Sequence, residues 1–425
     1  MKKRANFYPL SLSRPLWELR CGMSSLAEKI IARINPAEIA CFIPEYMESA
    51  YRESVDWPVN EPSALKGRDL LILDGRVKAS WLGDQAAWLK GEERSGRVFL
   101  DQDGRVLLAM IPAGKLKNMT TDSLEELLDQ ACSSLPVEKT AAPVWNYTWE
   151  LVLQNPEEIT SDFAERGLHG IEGRVEEPNA VRGSRDNVYV APGALIHPMV
   201  VLDAAHGPIF IDEGAEIHPF TRIEGPCYIG KKSVLLGAKC REGNSIGPVC
   251  RIGGEIEESI VHGYSNKYHD GFLGHAYVGE WVNLGALTTN SDLKNDYSSV
   301  SISLDGRNLI DTGSTKVGSL IGDHTKTSIG TLLNTGSYIG AMALIITGGK
   351  LLPKFLPSFS WFLQGSVTKG FGRSKLYQTA AMAMGRRGKM WTEAQEAMWD
   401  EIFQLTSSAR AEAVKKGRRN LASWK

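Results

Sequence analysis

The stretch Ile211-Asp-Glu-Gly-Ala-Glu-Ile217-His-Pro-Phe-Thr-Arg-Ile223-Glu-Gly-Pro-Cys-Tyr-Ile229-Gly-Lys-Lys-Ser-Val-Leu235 places an aliphatic residue at every sixth position. The phase reappears at Ile246 and Ile252, and again at Val278 and Leu284. It returns at Ile321, Thr327, Leu333, Ile339 and Ile345, where only Thr327 is polar. Neither a 3.6-residue helix nor a two-residue strand alternation holds such a phase. Gly often follows the apolar residue, as at Ile229, Ile246, Ile252, Val278, Ile321, Ile329 and Ile339. This period predicts a parallel β-helix from about Val188 to Leu352, each short strand burying one side chain and stacking on the coil below.

No coil of this kind can bury its own face, so both ends need covers. Tyr189-Val-Ala-Pro-Gly-Ala-Leu-Ile reads as an irregular first coil. Leu351-Leu-Pro-Lys-Phe-Leu-Pro-Ser-Phe-Ser-Trp-Phe, with two prolines and several aromatics, reads as the cover of the last. The phase is interrupted from about Ser291 to Ser319. There Val300-Ser-Ile-Ser-Leu alternates and Asp305-Gly306 offers a turn, which predicts a hairpin protruding from a corner. Long insertions at one corner of a solenoid are usually functional.

Working outward, residues 1–145 lack the hexad and read as an α/β domain. Leu70-Leu-Ile-Leu, Val98-Phe-Leu and Val106-Leu-Leu-Ala-Met-Ile are its strands, the last two separated by the turn Asp101-Gln-Asp-Gly104. Ser25-Leu-Ala-Glu28 fits a capping box, and Asp122-Ser-Leu-Glu-Glu opens a second helix. Residues 146–182 form a linker with a helix from about Thr148, after the linker stretch Lys139–Pro143. Residues 183–355 hold the β-helix and residues 356–425 a helical tail. In that tail Thr392-Glu-Ala-Gln395 fits another capping box ahead of Met398, Trp399, Ile402 and Phe403, which read as packing residues.

The bulk composition excludes several classes. Of 425 residues, 43% are hydrophobic and 23% charged, as in a soluble globular chain. A net charge of -2 offers no general attraction to nucleic acid or anionic lipid. No stretch approaches bilayer-spanning length. The basic start is followed by Pro9, Ser11, Ser13 and Arg14, so no signal peptide is expected. The six cysteines show no paired metal spacing and read as reduced thiols of a cytoplasmic protein.

Chemistry concentrates between Gly253 and Asn295. This segment holds Glu255, Glu257, His262, Asn266, Lys267, His269, Asp270, Phe272, His275, Asn283, Asn290, Asp292 and Lys294. A smooth solenoid wall needs none of these. An imidazole near working pH beside carboxylates and amides suits a general base. Polar residues also decorate β-helix turns, and both readings stand on residue types alone. His262, His269 and His275, spaced by seven and six, raise a metal site, but no tight His-x-His or Cys-x-x-Cys pair accompanies them. His197, His206, His218 and His324 read as turn or surface histidines. Arg241, Arg251 and Lys267 are the cations available to a phosphate.

The string His269-Asp-Gly-Phe-Leu-Gly-His-Ala-Tyr-Val-Gly-Glu-Trp-Val-Asn283 resembles the acetyltransferase half of the bifunctional N-acetylglucosamine-1-phosphate uridylyltransferase/glucosamine-1-phosphate acetyltransferase family. The left hand of the helix follows from the same similarity to hexapeptide-repeat proteins. The resemblance implies that His269 takes a proton from a sugar amine attacking acetyl-CoA. It further implies that Asn283 holds the sugar phosphate or orients the base. Phe272 stands where that family usually has Tyr, and Asn290 and Lys294 align with its next Asn and Lys across a small gap. Lys267 and Arg251 join them as substrate-binding candidates.

The whole chain is similar to a branch of sugar nucleotidyltransferase-like proteins with a short N-terminal domain. Phe7-Tyr-Pro-Leu-Ser-Leu-Ser-Arg14-Pro-Leu-Trp-Glu-Leu-Arg20-Cys-Gly22 looks like its signature. Such domains open with a strand and a Gly-rich phosphate loop, which the start of this chain lacks. Arg14, Arg20 and Asp74 remain as candidates for nucleotide and metal, with Mg²⁺ required if that domain is active.

Three functions follow. The first is CoA-dependent acyl transfer to a sugar phosphate or nucleotide sugar, with a homotrimer implied. The second is nucleotidyl transfer from a domain held by a trimerising β-helix. The third is a non-catalytic scaffold presenting the 291–319 hairpin. None involves nucleic acid or membrane.

Overall fold

The computed structural model describes residues 2–84, 96–363, 365–370 and 372–422. They form two compact units. One comprises Arg14–Glu18 and Ser25–Asn146, and the other Met1–Ser13, Leu19–Ser24 and Tyr147–Lys425.

The smaller unit is built on a four-stranded sheet ordered Leu70–Leu73, Val106–Ile111, Arg97–Leu100 and Val137–Lys139. The first three strands pair antiparallel, and the last joins parallel. Val137–Lys139 thus extends pairing up to the Lys139–Pro143 stretch, a short strand with no periodic signal of its own. Side chains alternate between faces along a strand. Val98, Ala109 and Ile111 face one apolar layer with Leu127 and Ala131. Phe99, Leu108 and Met110 face another with Val77, Trp81 and Leu82. Both faces are covered, which explains the uninterrupted apolar run of Val106–Ile111. Helix Leu26–Ile34 starts at the Ser25/Glu28 capping box, and Ser123 caps Leu124–Ser134.

The larger unit contains a parallel β-helix of about 11 turns, of the left-handed class. One ladder of ten strands runs along it from Gly170–Ile171 to Phe355–Leu356. Ile211 pairs with Ile229, 18 residues on, which is three hexads. Ile229 then pairs with Ile246, 17 on, and Ile246 with Val261, 15 on. Shortened corners, together with a register shift between Leu236 and Lys239, account for the jumps in the sequence phase. The inward side chains form one continuous core from Val188 to Phe362.

Strands of the ten-stranded ladder are apolar on both faces. Tyr189, Phe210 and Tyr228 stack outward, and Ile159 and Phe163 of helix Asn155–Arg166 cover them. The far end is closed differently from expectation. Leu352, Leu356 and Phe362 continue the core as a further coil, with Pro353 and Pro357 outside its strands. The cover is instead Ala413 and Val414 of helix Ser407–Ala422. Proline breaks a strand but is at home at a solenoid corner, so the prolines do not end the repeat.

The hairpin between coils forms as Ser301–Ile302 paired antiparallel with Ile310–Asp311. It does not protrude. Val300 and Ile302 are fully buried, and a side chain at Gly336 would strike Val300. The alternating apolar residues that mark it as a strand are also what must be buried, so the hairpin lies along the later coils. Across its base the ladder continues without pause, Val278 pairing with Ile321. Among the described residues no helix is long and apolar enough to cross a membrane.

Candidate functional site

The polar segment occupies two stacked positions that follow from the alternation of a strand. Arg251, Asn266, Asn283 and Lys326 lie in register on successive coils, as one ladder position. The adjacent inward position holds Ile252 and, opposite it, Lys267. A lysine therefore occupies a core position. It is only 3% exposed, and its ammonium donates to the carbonyls of Gly253, at 2.9 Å, and His269, at 2.7 Å. Burial pushes its pKa down to about 8 despite the pull of Asp270. The ammonium thereby braces the turn that carries His269. The neighbouring backbone is fitted to that turn, since a Cβ on Gly254 would lie 2.7 Å from Lys267 Nζ, and Gly254 has φ +67°. Lys267→Ala removes the donor from two carbonyls and opens a void, so we expect a loss of about 2–4 kcal/mol. A urea midpoint unchanged at constant m would show that the turn does not depend on this lysine.

His269 itself is exposed, and its ring packs edge-on against Tyr268 with centroids 5.9 Å apart. The Arg251 guanidinium sits 5.6 Å from the Tyr268 ring centroid, which joins the turn to the polar ladder. Within the ladder Asn266 Nδ2 donates to Asn283 Oδ1 at 3.2 Å. Arg387, from the segment after helix Arg373–Gly385, donates to Asn266 Oδ1 at 3.1 Å. Arg387 has its pKa lowered by burial and then by Arg251 and Arg386. Among the described residues neither Arg251 nor Arg387 makes a salt bridge, so two cations are gathered here with only longer-range balance, for Arg251, from Glu216 two coils earlier in the same ladder column. That is a receptive place for an anion. Arg387 had no signal in the sequence because it comes from the helical tail, over a hundred residues away.

The remaining candidates fall elsewhere. Phe272 opens strand Phe272–Gly274, and its amide donates to Thr289 Oγ1 at 3.4 Å. Asn290 is buried, and its amide both accepts from Gly274 N and donates to Gly274 O, each at 2.8 Å, as a backbone partner would. Lys294 binds the hairpin's own Ser298 hydroxyl and Ser299 carbonyl. Arg20 lies in the larger unit, its amide accepted by Tyr277 Oη at 2.8 Å. Arg14 and Asp74 belong to the smaller unit. Arg14 is buried, and Asp74 is forked by the Arg76 guanidinium with Nη2 at 2.9 Å.

His262, His269 and His275 do not assemble a metal site among the described residues. His262 is buried against Glu280, with Nδ1 at 3.4 Å, while His269 is exposed. His324 is at a corner but is buried, its ring between Trp281 and Trp391 and Trp399, because the helical tail folds over it.

His275 is the hub of a cluster that the residue types did not reveal. Its Nδ1 lies 2.8 Å from Asp292 and its Nε2 3.2 Å from Glu258. Burial alone would lower its pKa, but the hydrogen bonds it donates to Asp292 and Glu258 outweigh this and push it up to about 9. Beside it Glu257 is held by Arg241 at 2.6 Å and Lys316 at 3.2 Å. Asp292 and Lys316 flank the base of the hairpin, where Leu293 bridges to Lys316. The signal existed: Glu258, His275 and Asp292 are spaced by 17, one coil in this part of the helix, as in the pairing of Val261 with Val278.

The family described as Sugar nucleotidyl transferase matches residues 1–167. The chain is 35% identical over 153 residues to a bifunctional sugar-1-phosphate nucleotidylyltransferase/acetyltransferase of Sulfurisphaera tokodaii, covering 33% of this chain and 36% of that protein. It is 33% identical over 116 residues to the bifunctional protein GlmU of a Polaromonas species, covering 27% and 21% respectively. The matches thus span about a third or less of these relatives' lengths. A solved Arabidopsis UDP-N-acetylglucosamine acyltransferase aligns at 14% identity with 58% of this chain and 94% of its own, at a TM-score of 0.17.

Proposed function

We propose that this chain, similar in its first 167 residues to sugar nucleotidyl transferases and elsewhere a hexapeptide β-helix, is a cytoplasmic transferase of sugar-nucleotide metabolism. Its β-helix moves an acetyl group from acetyl-CoA to an amine on a sugar phosphate or nucleotide sugar. The observation that carries this reading is the pair Arg251 and Arg387, neither in a salt bridge among the described residues, beside Asn266 and Asn283 and joined through Tyr268 to His269. Such a place suits the phosphate of the acceptor, with the paired Asn266 and Asn283 amides lining it.

The acceptor amine attacks the thioester carbon, a C–N bond forms and the C–S bond breaks. The amine's proton passes to His269, and the departing CoA thiolate takes a proton in turn. Phe272, Asn290 and Lys294 enter as wall and loop positions, and Lys267 acts by holding the turn. In this reading a homotrimer completes the site.

The test is thiol release from acetyl-CoA in the presence of amino-sugar 1-phosphates and nucleotide amino sugars, with product mass confirming one added acetyl. Release no faster than the acceptor-free background, across that panel, would sink the proposal.

The match over residues 1–167 favours a second reading, in which the chain transfers a nucleotidyl group to a sugar 1-phosphate. Asp74 is then the candidate for Mg²⁺, although a cation there must displace Arg76. Arg14, in the same unit as Asp74, is the candidate for nucleotide phosphate. Pyrophosphate release from nucleoside triphosphate and sugar 1-phosphate would mark this activity.

A further inference from the structure

A second cluster lies on the early coils. Glu176, His197 and His218 occupy one outward position on three successive turns, as the main-chain bonds Glu176 N to Ile196 O, His197 N to Ile217 O and His218 N to Leu235 O require. Stacked coils repeat at about 4.8 Å, and the two imidazoles are stacked with centroids 4.8 Å apart. Glu216, two residues before His218 and so on the same side of its strand, reaches both rings. Its Oε1 lies 2.9 Å from His197 Nε2 and 3.3 Å from His218 Nε2. The other nitrogen of His197, Nδ1, lies 3.3 Å from Glu176 Oε2. Arg174 holds that carboxylate in turn, at 2.6 Å.

We infer that His197, His218 and Glu216 form a zinc site with an open coordination position. Two imidazoles and one carboxylate are a zinc-type donor set, and three protein ligands leave the fourth place for water or a ligand atom. The three ligand atoms lie within 4.8 Å of one another. The carboxylate–imidazole separations of 2.9 and 3.3 Å match the ~3.3 Å ligand spacing of a tetrahedron with ~2.0 Å bonds. The Glu176 contact is the independent feature. A carboxylate on the second imidazole nitrogen fixes the ring so that Nε2 faces the metal, and it is the usual outer partner of a zinc-bound histidine. The side chains are partly exposed, at 24% for His197, 29% for His218 and 40% for Glu216, so an ion can enter and keep one face open. The backbone supplies rigidity, because the two histidines directly follow the paired strands Leu195–Ile196 and Glu216–Ile217. A bound ion would also clamp one coil to the next, and by favouring the native state it would raise the melting temperature.

The experiment uses the full chain, stripped of metal by chelator and titrated with Zn²⁺ by calorimetry. One zinc per chain is expected. Co²⁺ in its place should give the intense visible absorption of a four-coordinate nitrogen–oxygen site. The paired change His197→Ala and His218→Ala should weaken binding at least ~100-fold. Glu176→Gln, which keeps all three ligands, should weaken it roughly 10–100-fold. His206→Ala, at an exposed histidine outside the cluster, serves as the control and should bind as before. Melting curves of the metal-free variants establish that each is folded. Failure to take up stoichiometric zinc, or undiminished uptake by the folded double variant, overturns the site.

Discussion

His269→Ala should lower the rate of acetyl transfer about 10²–10⁴-fold at saturating substrates, the usual worth of a positioned general base. It should do so with almost no change in stability. The ring is exposed and makes no hydrogen bond among the described residues, so its removal opens no cavity and strands no partner. A surface change of this sort stays within about 0.5 kcal/mol. The two measurements separate chemistry from folding. A variant of normal melting temperature and normal acetyl transfer would remove His269 from the mechanism. A comparable loss from Arg251→Ala, expressed mainly as a raised KM for a phosphate-bearing acceptor, would then place the anion-binding role where the unpaired guanidinium is.

The largest stability effect is expected from His275→Ala. The imidazole is almost wholly buried between Asp292 and Glu258, with side-chain exposure of 3%. Removing it leaves the buried Asp292 and the partly exposed Glu258 without their bonded cation, and breaking a buried pair from one side costs up to roughly 3–5 kcal/mol. The damage should concentrate at the base of the 291–319 excursion, because Asp292 holds one end of it. Faster hydrogen exchange there, with the early coils unchanged, would mark the site of the loss.

The pH dependence follows from the direction of the shifts. In the folded chain His275 titrates at about 9, above the ~6.5 of a free histidine. Its contribution is therefore complete below the free value and fades as pH rises through about 9. Asp292 and Glu258 are shifted down, Asp292 by its bond to His275 against burial and Glu258 chiefly by the same histidine. Their contribution holds above the ordinary carboxylate range and is lost on acidification. The advantage in urea midpoint of the wild type over His275→Ala should shrink between pH 7 and 9.5, since the buried Lys267 and Lys326, whose lowered pKa values pull the other way, are common to both proteins. Parallel curves would show that the cluster does not titrate as a unit.

These residues also show where sequence reading stops. The hexad marks which side chains of a coil point inward, and so it anticipates the solenoid and its break. Lys267 sits in that inward phase, but its polarity suggests an outer, substrate-facing role. The core placement becomes evident only once the Gly253 and His269 carbonyls come within reach of its ammonium. Asn290 misleads in the same way, because a buried amide that pairs with a neighbour's backbone has the composition of a binding residue. The helical tail was legible from its Thr392 capping box, yet nothing local says that Arg387 comes to rest on Asn266.

The six-residue repeat alone determined the β-helix and marked where its phase is interrupted. Those properties depend on neighbours in the chain and on a burial pattern that every coil restates. Which polar groups meet was decided by the tertiary structure. The coil step drifts between 18, 17 and 15 residues as corners shorten. Residues such as Glu258, His275 and Asp292 therefore stack only where the drift brings them into line, and long-range segments such as the Arg387 turn have no period to announce them.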